Sequence, residues 1–184
     1  MMNHHVAIFI LFNLAATTAF CANLWINFVQ PEKFTDAAYA SEFTDERQRM
    51  EVQQDIQAHF QKLATQNLPA DYVLKIYVLD IDLAGRFEPF AFSSPSDLRI
   101  VRDITWPRIN LRYSLLNGGI VVKSGEEKIV DIHFMLTSNL YWNSDRLRYE
   151  KSMLGNWFRK NLAKDGNIVE NKKIINPQNL HLDN

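Results

Sequence analysis

The sequence predicts an α+β fold. It is a two-layer sandwich in which a mainly antiparallel sheet of about four strands carries two helices on one face, in the order β-α-β-β-β-α. Three observations predict it. Residues 72–83 alternate as a strand and are rich in β-branched and aromatic side chains. Residues 108–115 alternate as well, and the Asn117-Gly118-Gly119 that follows is a hairpin signal leading to a return strand. Two further stretches, 45–67 and 145–163, repeat apolar residues at helical spacing.

The N-terminus predicts export. Val6 to Phe20 is apolar apart from Asn13 and small threonines, and is short for a membrane span. Small residues follow, Ala15-Ala16-Thr17-Thr18-Ala19, so cleavage is expected near Ala19 to Ala22. Met1 to His5 holds no Lys or Arg, which leaves the amino terminus and the histidines to supply the leading positive charge. Residues 1–21 are thus read as a signal peptide and the mature chain as periplasmic or secreted, with no integral membrane segment after processing. Cys21 is the sole cysteine, so no internal disulfide can form. A lipid anchor on it would want a small residue before the cysteine and Leu three before, where Phe20 and Thr18 stand.

Within the mature chain, residues 24–29 alternate and form the first strand, ended by Pro31. Thr44 or Asp45 can cap the first helix. Its apolar stripe is Met50, Val52, Ile56, Phe60, Leu63 and Ala64, and Leu68-Pro69-Ala70 ends it. The central strand then sets a parity problem. Leu74, Ile76 and Val78 share a face with Asp80 and Asp82 unless a bulge near Leu79 switches the core side. Residues 87–102 are too aromatic for a solvated linker and are expected to pack over one end of the sheet. The return strand from Ile120 is expected to break or bulge at Ser124-Gly125 and to continue to Phe134. Ser144 or Asp145 caps the second helix, with Leu147, Leu154, Trp157, Phe158 and Leu162 inward and Glu150 beside them. Residues 22–164 make one domain, and 165–184 are a polar, mostly irregular tail.

Composition excludes some roles. With 184 residues, 47% hydrophobic and 22% charged, the chain can bury a core without metal or disulfide staples. A net charge of −1 speaks against nucleic acid as a partner. No H-E-x-x-H, G-x-x-x-x-G-K, G-x-G-x-x-G or G-x-S-x-G pattern occurs. Neither a catalytic set nor a metal set is identified, and no cofactor is expected.

One corner holds the candidate functional or structural residues: Asp80, Asp82, Arg86, Glu88, Asp131 and Glu150. Alternate carboxylates on a strand can act as a general base or hold a hard cation. They can equally accept hydrogen bonds from arginines at a strand-to-loop corner, with Arg86, Arg99, Arg102, Arg108 and Arg112 as available partners. The second reading is preferred. Asp131-Ile132-His133 has ligand spacing but lacks a second histidine at a suitable distance.

Several strings together resemble domain of unknown function family 3016, a group of exported proteobacterial proteins. They are residues 28–36, Asp80-Ile-Asp-Leu-Ala-Gly85 with Glu88-Pro89, 107–113, 125–131, and Leu147-Arg-Tyr-Glu-Lys151 with Trp157. The resemblance implies an exported bacterial protein and carries no catalytic residues with it. The expected function is a non-enzymatic binding or assembly domain for an envelope protein partner. The alternatives are a carboxylate-based hydrolase or metal-dependent enzyme using Asp80 and Asp82, and lipid or glycan binding under the aromatic loop 87–106, with Phe87, Phe90, Phe92 and Trp106.

Overall fold

The computed structural model describes residues 23–39, 46–87 and 99–163. Its elements in chain order are β1 (Asn23–Phe28), a 3₁₀ turn at Pro31–Lys33, α1 (Glu46–Asn67), β2 (Tyr72–Asp82), β3 (Arg86–Phe87), β4 (Arg99–Ile100), β5 (Arg108–Asn117), β6 (Ile120–Val130) and α2 (Arg148–Leu162). The main sheet has the order β1-β2-β5-β6, and β3 and β4 form a separate two-stranded ribbon. β1 runs parallel to β2, which the intervening helix α1 permits, and the other two pairings are antiparallel. This is the expected α+β sandwich.

Period two places the core. Leu74, Ile76 and Val78 of β2 are wholly buried, as are Ile109, Leu111 and Leu115 of β5. Against them lie Val52, Ile56, Phe60, Leu63 and Ala64 of α1 and Met153, Leu154, Trp157, Phe158 and Leu162 of α2. Trp157 sits edge-on to Phe60, Tyr113 and Phe158, so one indole links both helices to the sheet. His59 is also buried, and its Nε2 lies 2.9 Å from the Lys151 carbonyl oxygen, tying α1 to α2. A carbonyl only accepts, so Nε2 carries the proton. Burial lowers the His59 pKa to about 4, which keeps the ring neutral.

The parity problem in β2 is resolved by a bulge. The register against β5 slips between Val78 and Asp80, leaving Leu79 as the extra residue. Beyond it Ile81 and Leu83 take over the core side, and Asp80 and Asp82 turn to the other face.

Several expectations are corrected. Met50 is half exposed, because two residues' spacing turns it about 160° around α1 from the wholly buried Val52. β6 does not break at Ser124-Gly125. Its extra residue is Val122, and Gly125 instead gives room to the Tyr113 ring, which a Cβ would meet at 3.1 Å. β6 ends at Val130 and not at Phe134, because the Asp131 carboxylate accepts the His133 N–H at 3.0 Å and turns the chain. Asp145 does not cap α2 directly. It accepts the Leu147 N–H through its side chain and the Arg148 N–H through its carbonyl, so the helix starts at Arg148. Glu150, expected beside the apolar face of α2, is buried there. The caps Thr44 and Asp45, the aromatic residues 88–98, the signal segment with Cys21 and the tail 165–184 lie outside the described residues.

Two glycines show how tightly the end of β2 is packed. Gly85 has a φ of +85°, and a Cβ there would stand 2.8 Å from the Ile100 carbonyl oxygen. Gly118, in the hairpin, has a φ of +57° with nothing within 4 Å of its Cβ position. Gly118→Ala is therefore expected to cost about 1 kcal/mol, the left-handed penalty alone. Gly85→Ala adds a backbone clash and is expected to cost roughly 3 kcal/mol or more. Urea unfolding of the two variants reads the difference, and equal losses would contradict the packing described.

Candidate functional site

The corner begins where β1 gives out. After Phe28 the chain makes a left-handed residue at Gln30 and the 3₁₀ turn, then returns to β2 beyond the bulge. There Asp36 N–H donates to the Ile81 carbonyl at 2.9 Å, and Leu83 N–H donates to the Asp36 carbonyl at 3.0 Å, an isolated parallel bridge opposite Asp82. The Asp80 carboxylate holds this returning segment. It accepts the Thr35 N–H at 2.7 Å and the Thr35 hydroxyl at 2.9 Å. Asp80 is thus occupied as a loop latch on the face away from the helices.

Asp82 is 1% exposed. Its Oδ2 accepts from Arg108 Nε at 2.8 Å and from Arg108 Nη2, and its Oδ1 is ion-paired with Arg86 Nη1 at 2.9 Å. Register explains the first contact, because Arg108 is the residue directly opposite Asp82 on β5. Chain reversal at Gly85 explains the second. Arg86 also reaches the Gly85 and Leu83 carbonyls at 2.8 and 3.2 Å. A carboxylate this deeply buried persists only when paired and hydrogen-bonded, and both conditions are met.

Arg99, on β4, completes the corner. Its two terminal nitrogens form a bidentate pair with the Asp36 carboxylate at 2.9 and 2.7 Å. The same guanidinium donates to the carbonyls of Ala38, Gly85 and Ala84 at 2.8, 3.1 and 3.3 Å, and it lies over the Phe87 ring at 4.4 Å. Three segments distant in sequence are joined through one side chain.

From the helix side, Glu150 closes the corner. It is 2% exposed, and its Oε1 accepts the Ala84 N–H at 2.7 Å, while Oε2 has no hydrogen-bond partner. Burial pushes its carboxyl up to about 7, opposed by the Ala84 N–H and the Arg99 charge. Three guanidiniums thus meet three carboxylates, those of Asp36, Asp82 and Glu150.

Of the residues anticipated, the corner unites Asp82, Arg86 and Glu150, with Asp80 on its flank. Asp131 is elsewhere, in the turn after β6, and His133 beside it is exposed. Glu88 lies outside the described residues. Of the anticipated arginine partners, Arg86, Arg99 and Arg108 serve the corner, while Arg112 pairs with Glu126 on the exposed sheet face. Asp36 was not anticipated as a site residue, since it stands in a loop without periodicity. The only hint was its place in the 28–36 string. Among the described residues no group of three His, Cys, Asp or Glu could hold a metal ion. Asp82 is closed off from solvent, and both carboxylates are already taken by donors. What the arrangement does chemically is neutralise charge and satisfy the backbone carbonyls left unpaired at the end of the central strand.

A family model described as "Protein of unknown function (DUF3016)" matches residues 22–160. No curated protein matches the chain. Among solved structures, the chain is similar to a protein from Xanthomonas campestris titled by its family model, DUF330, with 15% identity, a TM-score of 0.29, and coverage of 74% of this chain and 82% of that one. A likeness of that size carries no argument about the present chain.

The buried Glu150 sets a pH dependence. Its folded pKa, about 7, lies above its ordinary value of 4.5. Between these two values the folded state holds a proton that the unfolded chain has released, so stability falls as pH rises through the window. Glu150→Gln keeps the acceptor for Ala84 and removes the titration. Relative to wild type, the variant is expected to gain on the order of a few kcal/mol between pH 5 and pH 8 in urea unfolding. A difference that does not change with pH would contradict the burial described.

Proposed function

The chain belongs to the family of proteins of unknown function DUF3016, and from its own surface we propose that it is an exported, non-enzymatic binding domain that docks an envelope protein. The observation that carries this reading is the connector between β6 and α2. Ile132, Met135, Leu136, Leu140 and Trp142 are exposed there, the last three by 84–86%. Single exposed apolar residues need no explanation, but five within eleven positions form a surface that water solvates poorly and a partner can cover. Tryptophan in such a surface is the side chain most often found at the energetic centre of interfaces.

The chemistry of the corner supports the non-enzymatic part. A general base or a metal ligand needs a carboxylate with free lone pairs facing substrate. Asp80 is held by Thr35, and Asp82 by Arg86 and Arg108. An enzyme built on them would have to break the latch or the ion pairs first. For export, the support is the apolar segment at residues 6–20 with small residues after it. No helix among the described residues is long and apolar enough to cross a membrane.

Two measurements test the proposal. Fusion of the full chain to a reporter active only after export is expected to give activity that disappears when residues 2–21 are deleted. A photo-crosslinking amino acid placed at position 140 in living cells is expected to capture one discrete envelope protein. Leu136→Asp combined with Trp142→Asp should abolish that adduct without lowering the melting temperature by more than about 2 °C, because neither side chain contributes to the core. Retention of the reporter in the cytoplasm would contradict the export reading, and an adduct indifferent to the double substitution would contradict the docking surface.

A further inference from the structure

A cavity lies at the N-terminal end of α2, on the helix side of the corner. Its volume is about 320 Å³, and three arginines line it: Arg99, Arg146 and Arg148. Tyr39, Asn143 and Tyr149 line the same wall. Three arginines around one small cavity are an unusual use of charge, and the state of each cation decides what it can do.

Arg99 is spent, since Asp36 takes both of its terminal nitrogens. Asp145, the one acid of the lining, is spent too, since Lys151 donates to both of its oxygens at 2.9 and 2.8 Å. Arg146 lies over the Tyr39 ring at 3.9 Å and faces Glu51 only at 3.7 Å, in a largely exposed pair that compensates little charge. Arg148 is half-buried. Its contacts are the neutral Asn143 side-chain oxygen and the Tyr149 ring at 5.0 Å, and among the described residues no carboxylate pairs with it. Its Nε is buried without an acceptor. Glu150, two residues on, stands behind Ala84 with its carboxyl turned to that residue, and burial weakens its charge by pushing its carboxyl up to about 7. The cavity therefore carries an uncompensated positive charge on Arg148 and most of another on Arg146.

We propose that this cavity is a binding site for a small anion bearing a carboxylate or phosphate group, held between Arg146 and Arg148. The planar guanidinium fork matches the paired oxygens of both groups and binds them through two parallel hydrogen bonds. A half-buried cation is screened less by salt than a surface one, so the attraction survives physiological ionic strength. The volume, at the low end for ligand pockets, selects a single head group or small metabolite and not a polymer. Asn143 and Arg148 also line the neighbouring depression of about 520 Å³ beside Leu140 and Trp142, so anything attached to the anion would be led onto the apolar connector. The site stands independently of whether that connector docks a protein.

Calorimetric titration of the full chain with inorganic phosphate, and separately with succinate, tests the proposal. Saturable one-site binding of at least one probe is expected. Arg148→Gln should weaken it by about tenfold or more, as should Arg146→Gln in smaller degree. Arg112→Gln, which alters an exposed ion pair on the open face of the sheet, should leave it unchanged. Preference for phosphate identifies phosphoryl ligands, and preference for succinate identifies carboxylic acids. If Arg148→Gln does not fold, Arg146→Gln decides. Absence of binding to both probes up to roughly 10 mM, or binding unaffected by either cavity arginine, overturns the proposal.

Discussion

The buried carboxylate of Asp82 is the point on which the rest of this structure depends. It ends the central strand, where β1 has already stopped and the chain must turn away at Gly85. Carbonyls from Leu83 to Gly85 are left at that turn, along with that of Ala38, and they need donors. Asp82 gathers Arg86 and Arg108, and Arg86 in turn satisfies the Leu83 and Gly85 carbonyls. Asp36 does the same through Arg99, which reaches three carbonyls besides its carboxylate partner. Ionic pairing here is a way of delivering hydrogen-bond donors to irregular backbone. The same logic explains Glu150, which accepts the Ala84 N–H from the opposite layer.

Such an arrangement is ill suited to catalysis. A useful carboxylate must exchange partners during turnover, whereas each carboxylate here holds a different segment in place. Asp80 fixes the loop after β1, Asp36 fixes the β3–β4 ribbon, and Asp82 joins β2 to β5. The two surfaces proposed to recognise other molecules do not use Asp80 or Asp82: they are the exposed apolar connector after β6 and the arginine-lined cavity at the start of α2, which borders the corner through Ala84 and Arg99.

Much of this was legible in the residue pattern, and the reasons are specific. Alternation in β2 and β5 reports burial directly, because a strand side chain has only two directions. The conflict between Val78 and Asp80 announced either a bulge or buried acids. The bulge at Leu79 settled the conflict by turning both aspartates away from the core, and Asp82 became buried there by its arginines. Arg108 could be anticipated because antiparallel pairing brings the start of β5 to the end of β2. Asp36 could not, since it lies 46 residues from Asp82 with no periodic signal between them. Helix α2 begins later than its polar residues suggest because Asp145 spends its oxygens on a preceding turn. The start of the exposed connector, residues 131–134, reads as a continuation of β6, because apolar residues look the same in sequence whether they face a core or solvent. The cavity arginines carry no sequence signal at all, since Arg146 and Arg148 read as ordinary residues at a helix start.

The central claim is that Asp82 is a structural tie and not a reacting group. The most direct measurement is the unfolding free energy of Asp82→Asn beside that of Arg108→Gln and the double variant. The account predicts that Asp82→Asn costs about 3–5 kcal/mol, because two guanidiniums lose their counter-charge. It also predicts that the double variant costs at least about 1 kcal/mol less than the sum of the single losses. An Asp82→Asn protein within about 1 kcal/mol of wild type, with additive losses in the cycle, would contradict it.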